Sequence, residues 1–276
     1  MKLFDCFIFN GELDILEIRL NILYDYVDRF VILEGEETFS GLKKLLYLDK
    51  KKGRFDKFSD KITYLVAPAP QSIPCPWSRE AYYRNCLIEG LKTARGNDFV
   101  MLSDCDQIPD PDKVYNYLTK INEPFTLQMR DHHYYLNCIF VAQPEEYGSV
   151  VCRKSIIDEV YKKWDKSYYG FSDVGLYRLV KIRKEFVQIS LAGWHYSYVA
   201  SEEEIQRKIQ SFSHYKEMSD KIEYIQKCKK ELAPINPSNK QTKLAIYEMN
   251  DSNTHKYIMD NLEKYKHLIY HSDTND

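Results

Sequence analysis

Two apolar runs with an amphipathic segment between them open the chain. The runs Leu3–Phe9 and Phe30–Leu33 have the length and apolar character of buried strands. Between them, apolar residues recur at helical spacing from Leu13 to Leu23, and acidic and amide residues fall on the opposite face. A strand, a helix and a second strand this close together predict a βαβ unit, in which the two strands pair in parallel.

The alternation of strands and helices continues to the middle of the chain. Ile62–Val66 is predicted as a third strand, after a charged segment from Lys50 to Lys61 that is typical of a solvated helix and turn. Ser78 is predicted to cap a helix that runs from Arg79 to about Thr93, and the next strand is Phe99–Leu102. This order favours an α/β fold with a doubly wound sheet.

The second half of the chain has a looser pattern. Three further strands are predicted, at Phe125–Met129, Ser149–Cys152 and Phe186–Ser190. A short helix is predicted from Ile156 to Trp164, and another begins at Ser201. The Lys/Glu-rich pattern after residue 215 predicts helices, so we divide the chain into a domain of residues 1–215 and a helical C-terminal extension of residues 216–276.

The composition restricts the function classes. Hydrophobic residues make up 44% of the chain and the net charge is −2, so no basic surplus indicates nucleic acid as the main partner. The N-terminal apolar run is too short for a membrane span and has no cleavage site, which predicts a cytoplasmic chain without an integral membrane segment. The seven cysteines include no C-x-x-C pair, which argues against a disulfide framework and structural zinc.

Two aspartates follow directly on the Phe99–Leu102 run. Asp104 and Asp106 would lie at the carboxyl end of a buried strand, where open α/β sheets bind their ligands. Two carboxylates there are costly to bury unless a positive group lies against them. Together with phosphate oxygens they would suit Mg²⁺ or Mn²⁺, although the same D-x-D pattern also occurs in solvated turns.

Other polar residues are candidates for the same site, each with a structural alternative. His195, between Trp and Tyr, is either a core histidine or a ligand of Mn²⁺. Arg79, Arg84 and Asn85 precede the aspartate strand on one helix; an arginine there could reach phosphates or a base, or form a surface pair within the helix. Glu34, at the end of the second strand, could hold a ribose or a base amine, or cap the next turn.

Three familiar site motifs are absent from the sequence. There is no G-x-x-x-x-G-K-[ST], which excludes a P-loop NTPase. No G-x-G-x-x-G follows the first strand, so dinucleotide binding has no support. No G-x-S-x-G elbow supplies the nucleophile of an α/β-hydrolase.

Ordered blocks of the sequence, spread over roughly residues 5 to 215, carry more information than any one motif. They are Asp5–Leu20, Val27–Glu34, Thr38–Gly41, Trp77–Glu80, Arg84-Asn85, Ser103–Pro109, Gly193–Ser197 and Ser211–His214. In this order the blocks closely resemble glycosyltransferase family 17, which includes the β-1,4-mannosyl-glycoprotein N-acetylglucosaminyltransferases.

The resemblance implies a GT-A-like nucleotide-sugar-binding fold, with a mixed, mostly parallel sheet flanked by helices. It also implies a UDP-sugar donor, expected to be UDP-GlcNAc, a divalent metal, and inversion at the anomeric carbon. By position, Asp104 and Asp106 become the D-x-D that meets metal and donor, and His195 becomes a third metal ligand. Gln107 stands where the family usually has Glu, which removes a charge beside the metal.

The remaining site predictions concern the donor and the acceptor. Donor binding is assigned to seven polar residues: Asn10, Glu34, Lys43, Arg79, Arg84, Asn85 and Asp104. The acceptor is expected to be a glycan or another hydroxyl compound, deprotonated by a carboxylate during in-line attack. Asp173 is our first prediction for that base and Asp131 our second.

Two other functions stay open at this stage. The chain could be a nucleotide-sugar- or glycan-binding module that has lost turnover, for which Gln107 is the best argument. It could also be a metal-dependent nucleotidyltransferase, because those enzymes use paired carboxylates too. Release of UDP, of pyrophosphate or of neither product would separate the three.

Overall fold

The computed structural model describes residues 1–50, 52–70, 73–142, 145–162, 175–236 and 243–271. Within them the strands are β1 (Leu3–Ile8), β2 (Arg29–Gly35), β3 (Ile62–Ala67), β4 (Phe99–Asp104), β5 (Gln107–Pro109), β6 (Phe125–His133), β7 (Cys138–Phe140), β8 (Glu145–Arg153), β9 (Val187–Ile189), β10 (Gly193–Ser197) and β11 (Leu244–Ile246).

The α-helices are α1 (Leu13–Leu23), α2 (Tyr47–Lys50), α3 (Lys52–Phe55), α4 (Pro76–Cys86), α5 (Pro111–Leu118), α6 (Lys154–Lys162), α7 (Gly175–Lys181), α8 (Glu202–Ser211), α9 (Ile222–Lys230) and α10 (Lys256–Met259). Short 3₁₀ turns occupy Asp56–Phe58, Leu87–Leu91, Arg183–Glu185 and Lys266–Leu268.

The strands form one mixed sheet in the order β11-β7-β6-β8-β4-β1-β2-β3. β1 pairs in parallel with β2 and β4, and β2 pairs in parallel with β3, which confirms the predicted βαβ unit. β8 is antiparallel to both β4 and β6. The predicted α/β architecture, a mixed sheet flanked by helices, is confirmed, and its parallel pairings lie in two groups, one around β1 and β2 and one around β6.

The central strands have apolar side chains on both faces. Phe7 and Met101 point into the core on the α1 side, whereas Phe4, Cys6 and Val100 point into the core that includes residues of α4 and α7. Each such side chain contributes about 1.5–3 kcal/mol when fully buried. This two-sided burial explains the continuous apolar runs of the sequence, because a strand covered on both faces needs no polar alternation.

Helix α4 begins earlier than the sequence predicted and is shorter. It starts at Pro76, with Cys75 at its N-cap, and Ser78 is a buried residue inside the helix, so the predicted cap is wrong. Proline is well suited to the first helical position because its missing N–H has no partner there in any case. After Cys86 the chain tightens into a 3₁₀ turn, where Gly90 packs so closely on Val31 that a Cβ would lie 2.2 Å from Cγ1.

Two regions deviate from the prediction because of long-range packing. The charged segment before β3 is not simply solvated: Phe55 and Phe58 are buried in the main core. The predicted strand Phe186–Ser190 is followed by a separate strand, β10, because Leu191 adopts a positive φ of 52° between them. Both β9 and β10 pair in parallel with β6, which extends to His133 and so includes the two neighbouring histidines.

The segment after residue 215 contains the predicted helices α9 and α10 and also an unpredicted strand, β11, which pairs antiparallel with β7. Tyr265 and Leu268 are buried in the same core as β1. The division at residues 215 and 216 stays a prediction. In the part of the chain that the structure describes, the helices fall short of the length and apolarity needed to cross a bilayer.

Candidate active site

A cleft of ≈440 Å³ opens at the carboxyl ends of the parallel strands. Asn10 follows β1, Asp104 ends β4, and Arg84 reaches the cleft from α4. His195 of β10 and Lys208 of α8 also line it. The cleft lies where an open α/β sheet is expected to bind its ligand, and it brings together charged groups from distant parts of the sequence.

A buried arginine holds the turn that carries the two aspartates. Arg19 and Asp5 are both fully buried, and the guanidinium makes a bidentate contact with the carboxylate at 2.8 and 2.6 Å. The same guanidinium donates from Nη1 to the carbonyl oxygens of Asp104, Cys105 and Gln107 at 3.0, 3.2 and 2.6 Å. Because three of the four residues of this turn accept a hydrogen bond from the same side chain, Arg19 fixes the backbone between β4 and β5.

Gln107 completes the same turn. Its Oε1 accepts a hydrogen bond from the backbone N–H of Asp104 at 3.1 Å, and the side chain is buried. An amide oxygen and a carboxylate oxygen can both accept this bond, so glutamine supplies the structural contact without a charge. The side chain is directed back to the protein backbone, and this contact does not require the acid usual in the family.

Asp104 forms an ion pair with an arginine that is itself held in place. Arg84 Nη2 lies 2.6 Å from Asp104 Oδ1 and 3.0 Å from Glu80 Oε1. Burial raises the pKa of Asp104, but Arg84, with smaller contributions from Arg183 and His195, lowers it by more, so the carboxyl has a pKa below its ordinary value. The Asp104 side chain keeps 40% of its surface exposed and can therefore still be approached from the cleft.

Asp106 is held by a lysine that is distant in sequence. Lys208 Nζ lies 2.6 Å from Asp106 Oδ2 and 3.5 Å from Glu12 Oε1. Burial lowers the pKa of Lys208, but Asp106 and then Glu12 raise it by more, so the net pKa is above the ordinary value. The lysine is therefore a charged ammonium at neutral pH.

His195 lies between two aspartates because β10 pairs with both β5 and β6. Its Nδ1 is 3.2 Å from Asp131 Oδ1, and its Nε2 is 3.7 Å from Asp106 Oδ1. Burial lowers the pKa of His195, but Asp106 and Asp131 raise it by more, to about 9. The imidazole is thus protonated at neutral pH and would have to lose a proton to bind a metal ion.

The donor set fits a divalent cation only in part. Among the described residues, no group of three His, Cys, Asp or Glu side chains is arranged to hold an ion by itself. Asp106 and His195 are near enough to share one ion after a small movement. The Asp131 carboxylate lies 3.2 Å from Nδ1, on the side of the ring where metal-binding histidines typically have an orienting carboxylate. Since Mg²⁺ is usually held by one or two carboxylates together with substrate phosphates, the site fits an ion that arrives with a nucleotide.

Comparison with known proteins decides the family. The family model for glycosyltransferase family 17 matches residues 1–270. The chain belongs to glycosyltransferase family 17. The predicted family and the predicted enzyme class, a glycosyltransferase, are thereby confirmed.

The relatives of this family 17 protein include mammalian enzymes. A protein named β-1,4-mannosyl-glycoprotein 4-β-N-acetylglucosaminyltransferase from Homo sapiens is 28% identical, over 73% of this chain and 41% of its own length. The protein of that name from Rattus norvegicus is 26% identical, over 94% of this chain and 53% of its own length. The chain therefore spans about half the length of these relatives.

One solved structure similar to the family 17 protein is a 4-diphosphocytidyl-2C-methyl-D-erythritol synthase. It aligns over 76% of this chain and 97% of its own, with 8% identity and a TM-score of 0.43. That score is too low to support an argument about the site.

The structure brings some of the predicted site residues together at the cleft. Asp104, Asp106, His195 and Arg84 line it, as does Asn10, whose Nδ2 donates to Ser211 Oγ at 2.7 Å. Asp131 does not line the cleft but lies behind His195, where it can orient the imidazole. This position suits an orienting role better than the predicted role of base.

Four predicted donor-binding residues do not line the cleft. Glu34 is fully buried and accepts from Lys44, Tyr64 and the first N–H groups of α2, which is the capping role given above as its alternative. Lys43 is exposed outside the cleft, whereas its neighbour Lys44 lines it.

The other two lie on α4. Arg79 pairs with Glu37 at 2.5 Å and does not line the cleft. Asn85 is fully buried and accepts from the backbone N–H of Tyr177, so it anchors α7 instead of facing a ligand. Asp173, the first choice for the base, lies outside the described residues and stays a prediction.

Two residues of the site were missed by the sequence analysis. Arg19 belongs to a quoted block but was assigned no role, although a charged residue on a helix face that is otherwise apolar signals a buried ion pair. Lys208 gives the same signal: it lies three residues after Ile205 and beside Ile209 on the buried face of α8. Which carboxylate each one meets depends on the fold and cannot be read from helical spacing.

Proposed function

We propose that this family 17 protein transfers a sugar from a UDP-sugar, expected to be UDP-GlcNAc, to a hydroxyl group of a glycan or other acceptor, with inversion and with Mn²⁺ or Mg²⁺. One observation carries the proposal: Asp104 ends the central strand β4 and Asp106 follows in the turn, both line the cleft, and His195 Nε2 lies 3.7 Å from Asp106 Oδ1. The names of the mammalian relatives support the choice of sugar.

The charges around the two aspartates support binding of a diphosphate. Arg84 and Lys208 contact the aspartates directly, and Arg183 lines the cleft near enough to lower the pKa of Asp104 further. Guanidinium groups hold phosphate oxygens well because their donors form a planar fork. A divalent ion, when bound, would supply further positive charge to stabilise UDP as the leaving group.

The protein side chains around the acceptor have two tasks in this proposal. One is to shield the reacting carbon: Trp77 and His214 pack edge to face with ring centroids 4.3 Å apart and line the cleft. The other is to take the proton of the acceptor hydroxyl as its oxygen bonds to the anomeric carbon and the bond to UDP breaks. Asp173 stays our proposed base for that step.

The proposal is tested by product release from UDP-GlcNAc in the presence of Mn²⁺. We expect the protein to release UDP with an acceptor present, and Asp106→Asn to reduce the release to background. Asp25→Asn, a change of the same kind at an exposed residue, should leave it unchanged. Full activity of Asp106→Asn would contradict the proposal. Pyrophosphate release from a nucleoside triphosphate would favour a nucleotidyltransferase instead.

A further inference from the structure

Lys208 is positioned by its helix and not by the carboxylates alone. The helix α8 begins with a capping box between Ser201 and Glu204. At its other end Ser211 Oγ donates to the Lys208 carbonyl at 2.8 Å and accepts from Asn10 at 2.7 Å. The backbone of Lys208 is therefore anchored to the loop after β1, and only its four-carbon side chain is free to change direction.

The Lys208 ammonium and His195 share one carboxylate. Lys208 Nζ contacts Asp106 Oδ2 at 2.6 Å, while His195 Nε2 faces Oδ1 of the same residue at 3.7 Å. A divalent cation bound through Asp106 would lie within a few ångströms of this ammonium. Like charges so close and so little exposed to water repel each other strongly. Ion and ammonium therefore compete for Asp106.

Lys208 is easier to release from its carboxylate than Arg84 is. Arg84 is held at 2.6 and 3.0 Å by two carboxylates in a planar fork. Lys208 has one close partner, Asp106, and a looser one, Glu12, at 3.5 Å. Its side chain keeps 24% of its surface exposed towards the cleft, where the phosphates of a donor would lie.

We propose that Lys208 is an internal counter-ion that couples cation binding to nucleotide binding. Without ligands it neutralises Asp106 and so weakens the binding of a divalent cation. When cation and nucleotide bind together, the ammonium turns from Asp106 to a phosphate oxygen. Each ligand then strengthens the other, and the two coupling factors are equal. This inference rests on the proposed function, because it requires a cation and a diphosphate in the same cleft.

The test measures Mn²⁺ affinity by the electron paramagnetic resonance of the free ion, with and without UDP. Without UDP, Lys208→Met should bind Mn²⁺ about tenfold more tightly than the unmodified protein, because the ammonium no longer competes for Asp106. With Mn²⁺ present, the same variant should bind UDP more weakly. Lys92→Met, at an exposed ion pair, is the matched control and should change neither affinity.

Lys208→Arg keeps the positive charge but changes the shape of the side chain, so it shows whether charge or packing determines the Mn²⁺ affinity. It should leave Mn²⁺ affinity without UDP close to that of the unmodified protein, even if Lys208→Met were to fold poorly. Unchanged or weaker Mn²⁺ binding by a folded Lys208→Met, without UDP, would overturn the inference. Tighter Mn²⁺ binding by Lys208→Arg than by the unmodified protein would overturn it as well. If UDP release by the unmodified protein needs Mn²⁺ but these affinities do not change as stated, only the coupling fails. If UDP release is absent or independent of the ion, the proposed function fails with it.

Discussion

Replacement of Arg19 by methionine should destabilise the protein more than any surface charge change. The substitution leaves the fully buried Asp5 carboxylate without its bidentate partner, a loss of about 3–5 kcal/mol for a buried pair. It also removes the donor shared by three carbonyl oxygens of the Asp104–Gln107 turn, which adds about 1 kcal/mol. The expected loss is thus about 4–6 kcal/mol, comparable to the whole stability of many domains.

Urea denaturation followed by circular dichroism measures this loss. Arg207→Met removes an ion pair at an exposed position and should cost less than about 1 kcal/mol. The double variant Arg19→Met with Asp5→Leu should recover at least about 2 kcal/mol relative to the single variant, since no buried charge is then left unpaired. A loss below about 2 kcal/mol for Arg19→Met would refute the reasoning, because the Asp5 carboxylate and the three carbonyl oxygens would then have to be hydrated in the folded variant.

Three further predictions concern the site and the pH dependence of stability. Asp131→Asn should weaken Mn²⁺ binding about 10–100-fold in the presence of UDP, measured by titration, because His195 loses its orienting carboxylate; unchanged affinity would contradict that role. Asp173→Asn should lower kcat about 10²–10⁴-fold with UDP affinity unchanged, as expected for a general base; near-normal turnover would remove it from the mechanism. Burial lowers the pKa of both His132 and His133 to about 3. The stability gained by keeping these two histidines neutral is therefore fully present above pH ~6.5 and is lost as the pH falls towards 3, by about 1.4 kcal/mol per pH unit for each histidine. His133→Phe should halve the change of unfolding free energy per pH unit, measured by urea denaturation at several pH values. An unchanged pH dependence would contradict the lowered pKa of His133.

The central strands could be predicted from the sequence because their signal is local. β1, β2 and β4 are covered on both faces, so their residues form continuous apolar runs that end in polar turns. The position of Asp104 and Asp106 follows from the same signal, since the apolar run ends just before them. The resemblance to family 17 assigned His195 to the same site as a metal ligand, and in the structure its Nε2 lies 3.7 Å from Asp106 Oδ1.

The partners of these residues could not be predicted, because pairing between distant strands determines them. Asp131 meets His195 only because β6 and β10 pair in parallel with those two residues in register. Lys208 meets Asp106 through the packing of α8 against the loop after β1. Glu34 lies near the end of β2, as a ligand-binding residue would, but the fold of the next loop directs α2 onto its carboxylate.

The central claim is that Asp106 and His195 hold a divalent cation together with the diphosphate of a UDP-sugar. A crystal structure of the protein with Mn²⁺ and UDP, with the ion located by its anomalous scattering, tests it most directly. We predict an ion coordinated by an Asp106 oxygen, by His195 Nε2 and by phosphate oxygens, with Lys208 turned away from Asp106. An ion bound elsewhere, or UDP in the cleft with Lys208 still on Asp106, would contradict the account.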